Sequence, residues 1–348
     1  MMLKNARLAL IAAAAAAVLA VVAMPAVARA EDKAAGASVE LKMATLAPKG
    51  SAWAKILEKG GKDIEAQTNG RVKVKYFFSG QQGDERDVVR KMTSGNLDGA
   101  ALTAVGLGLI KGDVRVLELP FLFTNDKQVD YVRDAMKGDF EAQFDSAGYV
   151  LLAWGDVGWT HIYTNIPINN KADLAKAKMW AWKDDPIVRA LFKGLGINGV
   201  PLGVPDVFPQ LQTGGIDACY GSPLAAVALQ WYTKVKFATT TPISYSIGAM
   251  VVRKDVFVKL SAEDQKIIRT ASATMGAELL AMVRKDNERA KKAMQKAGVK
   301  FVDTPAALVA ELQAEGQKVW KALVGTLYQE AMLDKVLKIR GEAVKKFP

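Results

Sequence analysis

The chain has 348 residues, half of them hydrophobic, and a formal net charge of +11 at neutral pH. A single cysteine excludes an intramolecular disulfide, so the fold must rest on a hydrophobic core, and a chain of this length usually divides into two domains. The basic residues are scattered along amphipathic segments, without an arginine-rich tract interleaved with aromatic residues. We therefore expect a solvated basic surface and no nucleic-acid partner.

The first thirty residues have the pattern of a secretory signal peptide. A short basic start precedes an alanine-rich apolar run, and a small-x-small ending predicts cleavage after Ala30. Loss of Lys4, Arg7 and Arg29 lowers the net charge from +11 to +8. A retained membrane anchor is the alternative, although no later segment approaches the ~20 uninterrupted apolar residues of a spanning helix. We expect an exported protein.

Alternating elements follow in the first half of the mature chain. VELKMATL (39–46) predicts a strand, Ser51 is a plausible helix cap, and RVKVKYFF (71–78) alternates as a second strand. DERDVVRKMTSG (84–95) predicts a short helix, and LDGAALTAV (97–105) a buried strand. This β-α-β-α-β order is typical of a parallel sheet with helices on its faces.

A similar order returns in the second half. KMWAW (178–182) and GVPLG (199–203) predict strands around the helix DPIVRALFKGLG (185–196). VPDVFPQLQTGG (204–215) predicts a helix that its internal proline confines or bends, and IDACYGS (216–222) the next strand. We interpret the two series as two similarly built α/β lobes. The last hundred residues are mostly helical.

Residues for chemistry are few. His161 is the only histidine, and Cys219 lies in an apolar strand without a basic neighbour that would lower its pKa. No sequence pattern of a zinc protease, a serine hydrolase or a dinucleotide site occurs. The acidic residues at 84–87 and 184–185 fit solvated helix starts. We expect no enzyme, no metal and no cofactor, with catalysis by carboxylates as the alternative.

Trp180 and Trp182 pose the most specific question in the chain. Residues two apart on a strand share a face, so both indoles look the same way. Two large indoles in line indicate either core or the wall of a binding site.

Five segments together resemble one family, the DctP-type solute-binding proteins of tripartite ATP-independent periplasmic (TRAP) transporters. The resemblance extends over most of residues 39–330, and it is the ordered set that is specific. The segments are GRVKVKYFFSGQQGDERDVVRKMTSGNLDGA, VLELPFLFTN, GWTHIYTNIPINNKADLAKAKMWAW, VPDVFPQLQTGGIDACYGSPLAAV and LSAEDQKII.

The resemblance implies an α/β, two-lobed periplasmic binding protein of the class II type, with a cleft between the lobes and a helical C-terminal region. Its lobes would comprise residues 39–157 with about 247–285, and 158–246 with about 286–348. The protein would deliver a small-molecule ligand in the periplasm to a small and a large integral membrane subunit. A periplasmic tetratricopeptide protein is a further expected partner. The alternative is a sensor that presents its closed form to a membrane histidine kinase.

Several positions depart from the family pattern. Trp180 stands where most members have an arginine that binds a carboxylate, and Thr160 where a second arginine is common. Ser222 replaces a polar asparagine, and Thr103 occupies a position that is acidic in the sialic-acid members. The resemblance therefore implies that the arginine clamp for a carboxylate is replaced.

In a cleft without that clamp, we expect burial of apolar ligand surface to contribute more to binding than charge pairing does. An unpaired buried carboxylate costs on the order of several kcal/mol, whereas eight buried methylenes contribute roughly 6 kcal/mol. An apolar or amphipathic ligand, such as a fatty acid or another lipid-like compound, is the first hypothesis. An organic acid held by another arginine, Arg86 or Arg90, is the alternative. The expected ligand-binding residues are Trp180, Trp182, Thr160, Ser222, Tyr220, Phe208, Val204 and Thr103.

Overall fold

The structure, a computed structural model, describes residues 38–348, so the predicted signal peptide and its cleavage site lie outside the described residues. Within that range no helix has the length and apolar character needed to cross a membrane. Local signals act as expected at several helix starts. Ser51, for example, accepts a hydrogen bond from the backbone N–H of Ala54 and caps the first helix.

Strands form one long curled sheet and one short pair. The eight-stranded sheet has the order β10-β8-β4-β9-β3-β1-β2, with β7 added alongside β4, and β5 pairs with β6. The strands are β1 (Val39–Thr45), β2 (Val72–Phe77), β3 (Gly99–Thr103), β4 (Tyr149–Thr164), β5 (Trp180–Trp182), β6 (Val200–Leu202), β7 (Ala218–Gly221), β8 (Phe237–Thr239), β9 (Ser244–Arg253) and β10 (Lys300–Val302).

Helices cover the sheet and make up most of the C-terminal region. Two 3-10 turns, Gly112–Glu118 and Trp231–Lys234, contain Arg115, Glu118 and Trp231. The α-helices are α1 (Ala52–Gln67), α2 (Glu85–Thr93), α3 (Ala104–Ile110), α4 (Asp126–Ser146), α5 (Lys171–Lys176), α6 (Pro186–Leu195), α7 (Val204–Thr213), α8 (Pro223–Ala228), α9 (Lys254–Phe257), α10 (Ala262–Lys296), α11 (Ala306–Ala322) and α12 (Glu330–Lys346).

The two halves of the chain repeat one arrangement. In the first, β1 lies between β2 and β3, and all three are parallel. In the second, β5 is parallel to β6, and a bridge from Met179 to Ala218 joins it to β7. β3 and β7 then pair antiparallel to β9 and β4, respectively. The predicted mixed α/β architecture of a two-lobed binding protein is confirmed, whereas the long antiparallel pair β4 and β9 was not predicted.

β4 and β9 pass between the halves, and their pairing shifts by one residue between Asp156 and Gly158. Gly158 has φ +111°, and a Cβ there would lie 2.4 Å from the Asn287 side-chain nitrogen. The Asn287 amide donates to the Val157 carbonyl and accepts from the Leu224 N–H. β4, α8 and α10 therefore meet at Gly158, a position that only glycine fits. The lobe boundaries expected near this point stay a prediction.

A buried ionic network surrounds the same shift. Asp156 accepts hydrogen bonds from Arg133 at 2.8 Å and from the Tyr245 hydroxyl at 2.5 Å, and Arg284 lies 3.4 Å away. Asp156→Ala would remove the buried carboxylate that Arg133 and Arg284 share and leave Asp130 as their common partner, so we expect a loss of about 3 kcal/mol in the free energy of unfolding. Urea denaturation measures it.

The control is Asp139→Ala. It removes a carboxylate from Lys335 in a far more exposed pair at 2.7 Å. Such pairs contribute at most about 1 kcal/mol. Equal losses in the two variants would contradict a structural role for the network.

Candidate functional site

A large cavity lies between the two halves, and its volume, open mouth included, is about 1490 Å³. β4 and β9 form its floor. The first wall, as we call it, consists of residues from β1, α1, α2, β3, α3 and the turn that follows, and the second wall of residues from β5 to Trp231. Most of the lining is apolar, including Leu46, Pro48, Leu57, Leu102, Val105, Ala153, Ile187, Val188, Leu191, Ala225, Leu229, Ile243, Met250 and Leu279.

An aromatic cluster dominates the second wall. The Trp180 ring stacks on Tyr220 with centroids 4.6 Å apart and meets the edge of Trp231 at 5.2 Å. Its indole N–H donates to the Leu202 carbonyl at 3.0 Å. Trp182 lies 6.0 Å from Trp180 on the same face. Trp180 is only 2% exposed, so it lies in the core and also lines the cavity, and its contact with ligand stays a prediction.

Arg115 is the only cationic side chain among the lining residues of the described range. It is 2% exposed and lies on the 3-10 turn of the first wall. Its Nη2 is 2.9 Å from Asp185 and 3.2 Å from Glu118. Glu118 also accepts from the Ser246 hydroxyl and the Ile247 N–H. A guanidinium buried in this way can hold an anion only through a donor that its own partners leave free.

Glu85 is the second carboxyl group of the first wall and is also buried. It accepts hydrogen bonds from the Thr103 hydroxyl and from the backbone N–H groups of Thr103 and Gly106. Burial raises the pKa of Glu85 to about 8, although these hydrogen bonds oppose the shift. The group therefore carries little negative charge at neutral pH.

These carboxyl groups correct the expectation of solvated helix starts. Asp84, Glu85 and Asp185 are 4%, 2% and 5% exposed. Asp185 does cap α6, since it accepts from the Ile187 N–H, but it pairs with Arg115 as well. The helix-start position was correct, and the burial comes from packing between the walls.

Three buried N–H donors at the cavity have no hydrogen-bond partner. They are Arg115 Nε, Trp154 Nε1 and Trp231 Nε1, and all three residues line the cavity. The lining carboxyl groups of Glu85, Glu118 and Asp185, by contrast, each accept from protein donors. All hydrogen bonds to Asp185 end on Oδ1, so the lining keeps acceptor capacity as well as the Arg115 guanidinium.

Most of the predicted ligand-binding residues come together at this cavity. Phe208 is the exception: it lies one helical turn beyond Val204 on α7, away from the lining, with the Lys234 ammonium 5.7 Å from its ring. The lining contains Trp180, Trp182, Thr160, Ser222, Tyr220, Val204 and Thr103.

Neither arginine considered as a substitute for the clamp reaches the cavity. Arg86 pairs with Asp184 at 2.5 Å, and Arg90 pairs with Asp87 on its own helix. Sequence reasoning missed Arg115, although a signal was present. A lone cation within an apolar run, as in VRVLELPFLF, indicates a buried charge that needs a partner.

The histidine and the cysteine considered for enzyme chemistry lie outside the lining. Burial raises the pKa of the Cys219 thiol and lowers the pKa of His161 to about 4. His161 donates from Nδ1 to the Thr239 carbonyl if that nitrogen carries the proton. Neither group supplies an ionised nucleophile or a base at the cavity.

Two similar α/β halves surround a cavity, and the antiparallel strands β4 and β9 pass between them. This architecture is that of a solute-binding receptor. The model of the bacterial extracellular solute-binding proteins, family 7 (DctP), matches residues 43–326, and the chain belongs to this family. The resemblance to DctP-type TRAP receptors is thereby confirmed. A solute-binding protein of Verminephrobacter eiseniae is 30% identical over 70% of this chain and 72% of its own length.

Solved structures agree with the fold. The sugar acid binding protein of Advenella mimigardefordensis, in complex with galactonate, has a TM-score of 0.82 at 20% identity, covering 88% of this chain and 99% of that one. A TRAP periplasmic solute binding protein of Ralstonia eutropha, with bound (S)-2-acetolactate, has a TM-score of 0.80 at 25% identity, with the same coverage.

Proposed function

We propose that the protein is a periplasmic TRAP receptor whose ligand is an organic acid with an apolar body. This favours the organic-acid alternative over a purely apolar ligand. The observation that carries the proposal is Arg115, the only cationic side chain among the lining residues that the structure describes. A guanidinium forms charge-assisted hydrogen bonds to a carboxylate, each contributing about 1.5–3 kcal/mol.

The body of the ligand follows from the rest of the lining. Trp180, Trp182 and Tyr220 present aromatic surface to the cavity, and Trp180 stands where the family resemblance implies a carboxylate-binding arginine in most relatives. A ligand rich in hydroxyl groups would find few polar partners there, whereas an apolar or planar group gains about 0.8 kcal/mol for each buried CH₂. The bound (S)-2-acetolactate of the Ralstonia eutropha protein is an example of a small acid in this family. Delivery to the membrane subunits and a tetratricopeptide partner stay predictions.

Matched acid and amide pairs test the proposal by isothermal titration calorimetry. Phenylacetate and octanoate are compared with phenylacetamide and octanamide, and galactonate serves as a polyhydroxylated acid. We expect each acid to bind at least tenfold more tightly than its amide, because the amide lacks the charge that Arg115 pairs with. We expect galactonate to bind more weakly than either apolar acid.

Two outcomes would count against parts of this proposal. Equal affinity for octanamide and octanoate would instead support the hypothesis of a purely apolar ligand. If galactonate binds more tightly than phenylacetate and octanoate, the ligand is still an acid, but the proposal that its body is apolar is refuted.

The affinity for an acid should fall as the pH rises through about 8, the pKa to which burial raises Glu85. Below that pH the carboxyl group is protonated and neutral. Above it the group becomes negative and repels a carboxylate in the same cavity. Calorimetric titrations of phenylacetate between about pH 6 and pH 9 measure how its affinity depends on pH. Phenylacetamide is the control, and its affinity should not change over this range. A flat profile for the acid would contradict this role of Glu85.

A further inference from the structure

One short segment of the second wall is tied to the first wall by three side-chain contacts. Trp182 Nε1 donates to Asp84 at 2.9 Å, and Asp184 accepts from Arg86 at 2.5 Å. Asp185 pairs with Arg115 at 2.9 Å. Residues 182–185, the last residue of β5 and the three that follow it, therefore contact the β2–α2 connection, α2 and the 3-10 turn at once.

Asp84 does not behave like an ordinary helix cap. It stands at the N-cap of α2, yet its side chain makes no capping hydrogen bond there. Its Oδ2 accepts from Trp182 of the opposite wall, and a Cβ on Gly203 would lie 2.8 Å from that same oxygen. Gly203 is the N-cap of α7, so the Asp84 carboxylate of the first wall faces the start of a second-wall helix, where negative charge is favourable.

The burial of this contact gives it weight. Asp84 and Trp182 are 4% and 8% exposed, and Asp84 Oδ1 has no hydrogen-bond partner. Burial raises the pKa of Asp84, while the hydrogen bond from Trp182 opposes this shift. Hydrogen bonds to charged groups are the strong ones, and separation of the walls would break this one.

We propose that Asp84 and Trp182 form a latch that holds the cavity closed before ligand binds. Asp84 thereby acts as a positioning residue: it touches no ligand, yet it holds Trp182 in the cavity wall and shifts the receptor toward its closed form. The proposal rests on the chain being a cleft receptor and not on the chemistry of the ligand. Arg86 and Asp184 form an accessory contact, since Arg86 is largely exposed.

Ligand-free protein tests the latch by small-angle X-ray scattering, so failure of the organic-acid proposal would leave the result unaffected. Asp84→Ala removes the acceptor, and Trp182→Phe removes the indole N–H with its five-membered ring while keeping a six-membered aromatic ring. Loss of one buried hydrogen bond to a charged group shifts the closed-to-open ratio about 10- to 100-fold. We expect both variants to have a larger radius of gyration than the wild type.

The matched control is Asp87→Asn, on the first turn of the same helix. Asp87 pairs with Arg90 within α2 and has no such contact to the second wall. It should leave the radius of gyration unchanged. The latch is refuted if the wild type, Asp84→Ala and Trp182→Phe all have the same radius of gyration. Trp182→Phe retains most of the packing, so a folding defect of Asp84→Ala does not remove the test.

Discussion

Replacement of Arg115 by methionine is expected to reduce the affinity for phenylacetate or octanoate at least a hundredfold. Arg115 supplies the only cation of the described lining, and its Nε is one of the three unpartnered donors. Loss of a charge-assisted contact in a buried site corresponds to about 3 kcal/mol or more. Isothermal titration calorimetry on the wild type and the variant measures the change directly.

Because Arg115 also neutralises Asp185 and Glu118, its removal should destabilise the fold. The Arg115→Lys variant is therefore measured alongside Arg115→Met. Lysine keeps the charge but lacks Nε and the planar fork, so we expect intermediate affinity. Arg71→Met, which removes a guanidinium from Asp264 away from the cavity, is the matched control. Wild-type affinity in a folded Arg115→Met variant would contradict the assignment.

Trp180→Ala is expected to lower the free energy of unfolding by about 3–5 kcal/mol, the range for a large buried aromatic side chain. Trp180 is 2% exposed and packs on Tyr220 and Trp231, so truncation leaves a void within the second wall. Urea denaturation measures the loss. Trp180→Phe, which preserves a ring for stacking, should cost clearly less.

The same pair of variants reports on binding. If Trp180 contacts ligand, intrinsic fluorescence should change on addition of phenylacetate, and Trp180→Ala should remove most of that change. A response of wild-type size in Trp180→Ala would assign the indole to the core alone. A stability loss below about 1 kcal/mol would contradict its packing in the structure.

Local signals predicted the elements well because each signal and its effect are neighbours in the chain. Ser51 caps α1, Asp185 with the following proline starts α6, and alternation gives β2. The spacing of Trp180 and Trp182 likewise placed both indoles on one face. Residues that interact within a turn or along a strand leave a periodic trace in the sequence.

The burial of charge could not be predicted in this way. Arg115 and Asp185 are 70 positions apart, and Trp182 and Asp84 are 98 apart. Their contacts depend on how the two walls meet, and no local pattern encodes that geometry. Asp84 and Asp185 were therefore interpreted from their immediate neighbours, and Arg115 was overlooked in favour of Arg86 and Arg90.

Native mass spectrometry of the protein purified from a periplasmic fraction, followed by denaturing extraction of the bound molecule, tests the ligand class most directly. We expect a bound mass that the extract identifies as a carboxylic acid with an apolar or aromatic body. A neutral lipid, or a molecule without a carboxylate, would contradict the role of Arg115 in ligand binding.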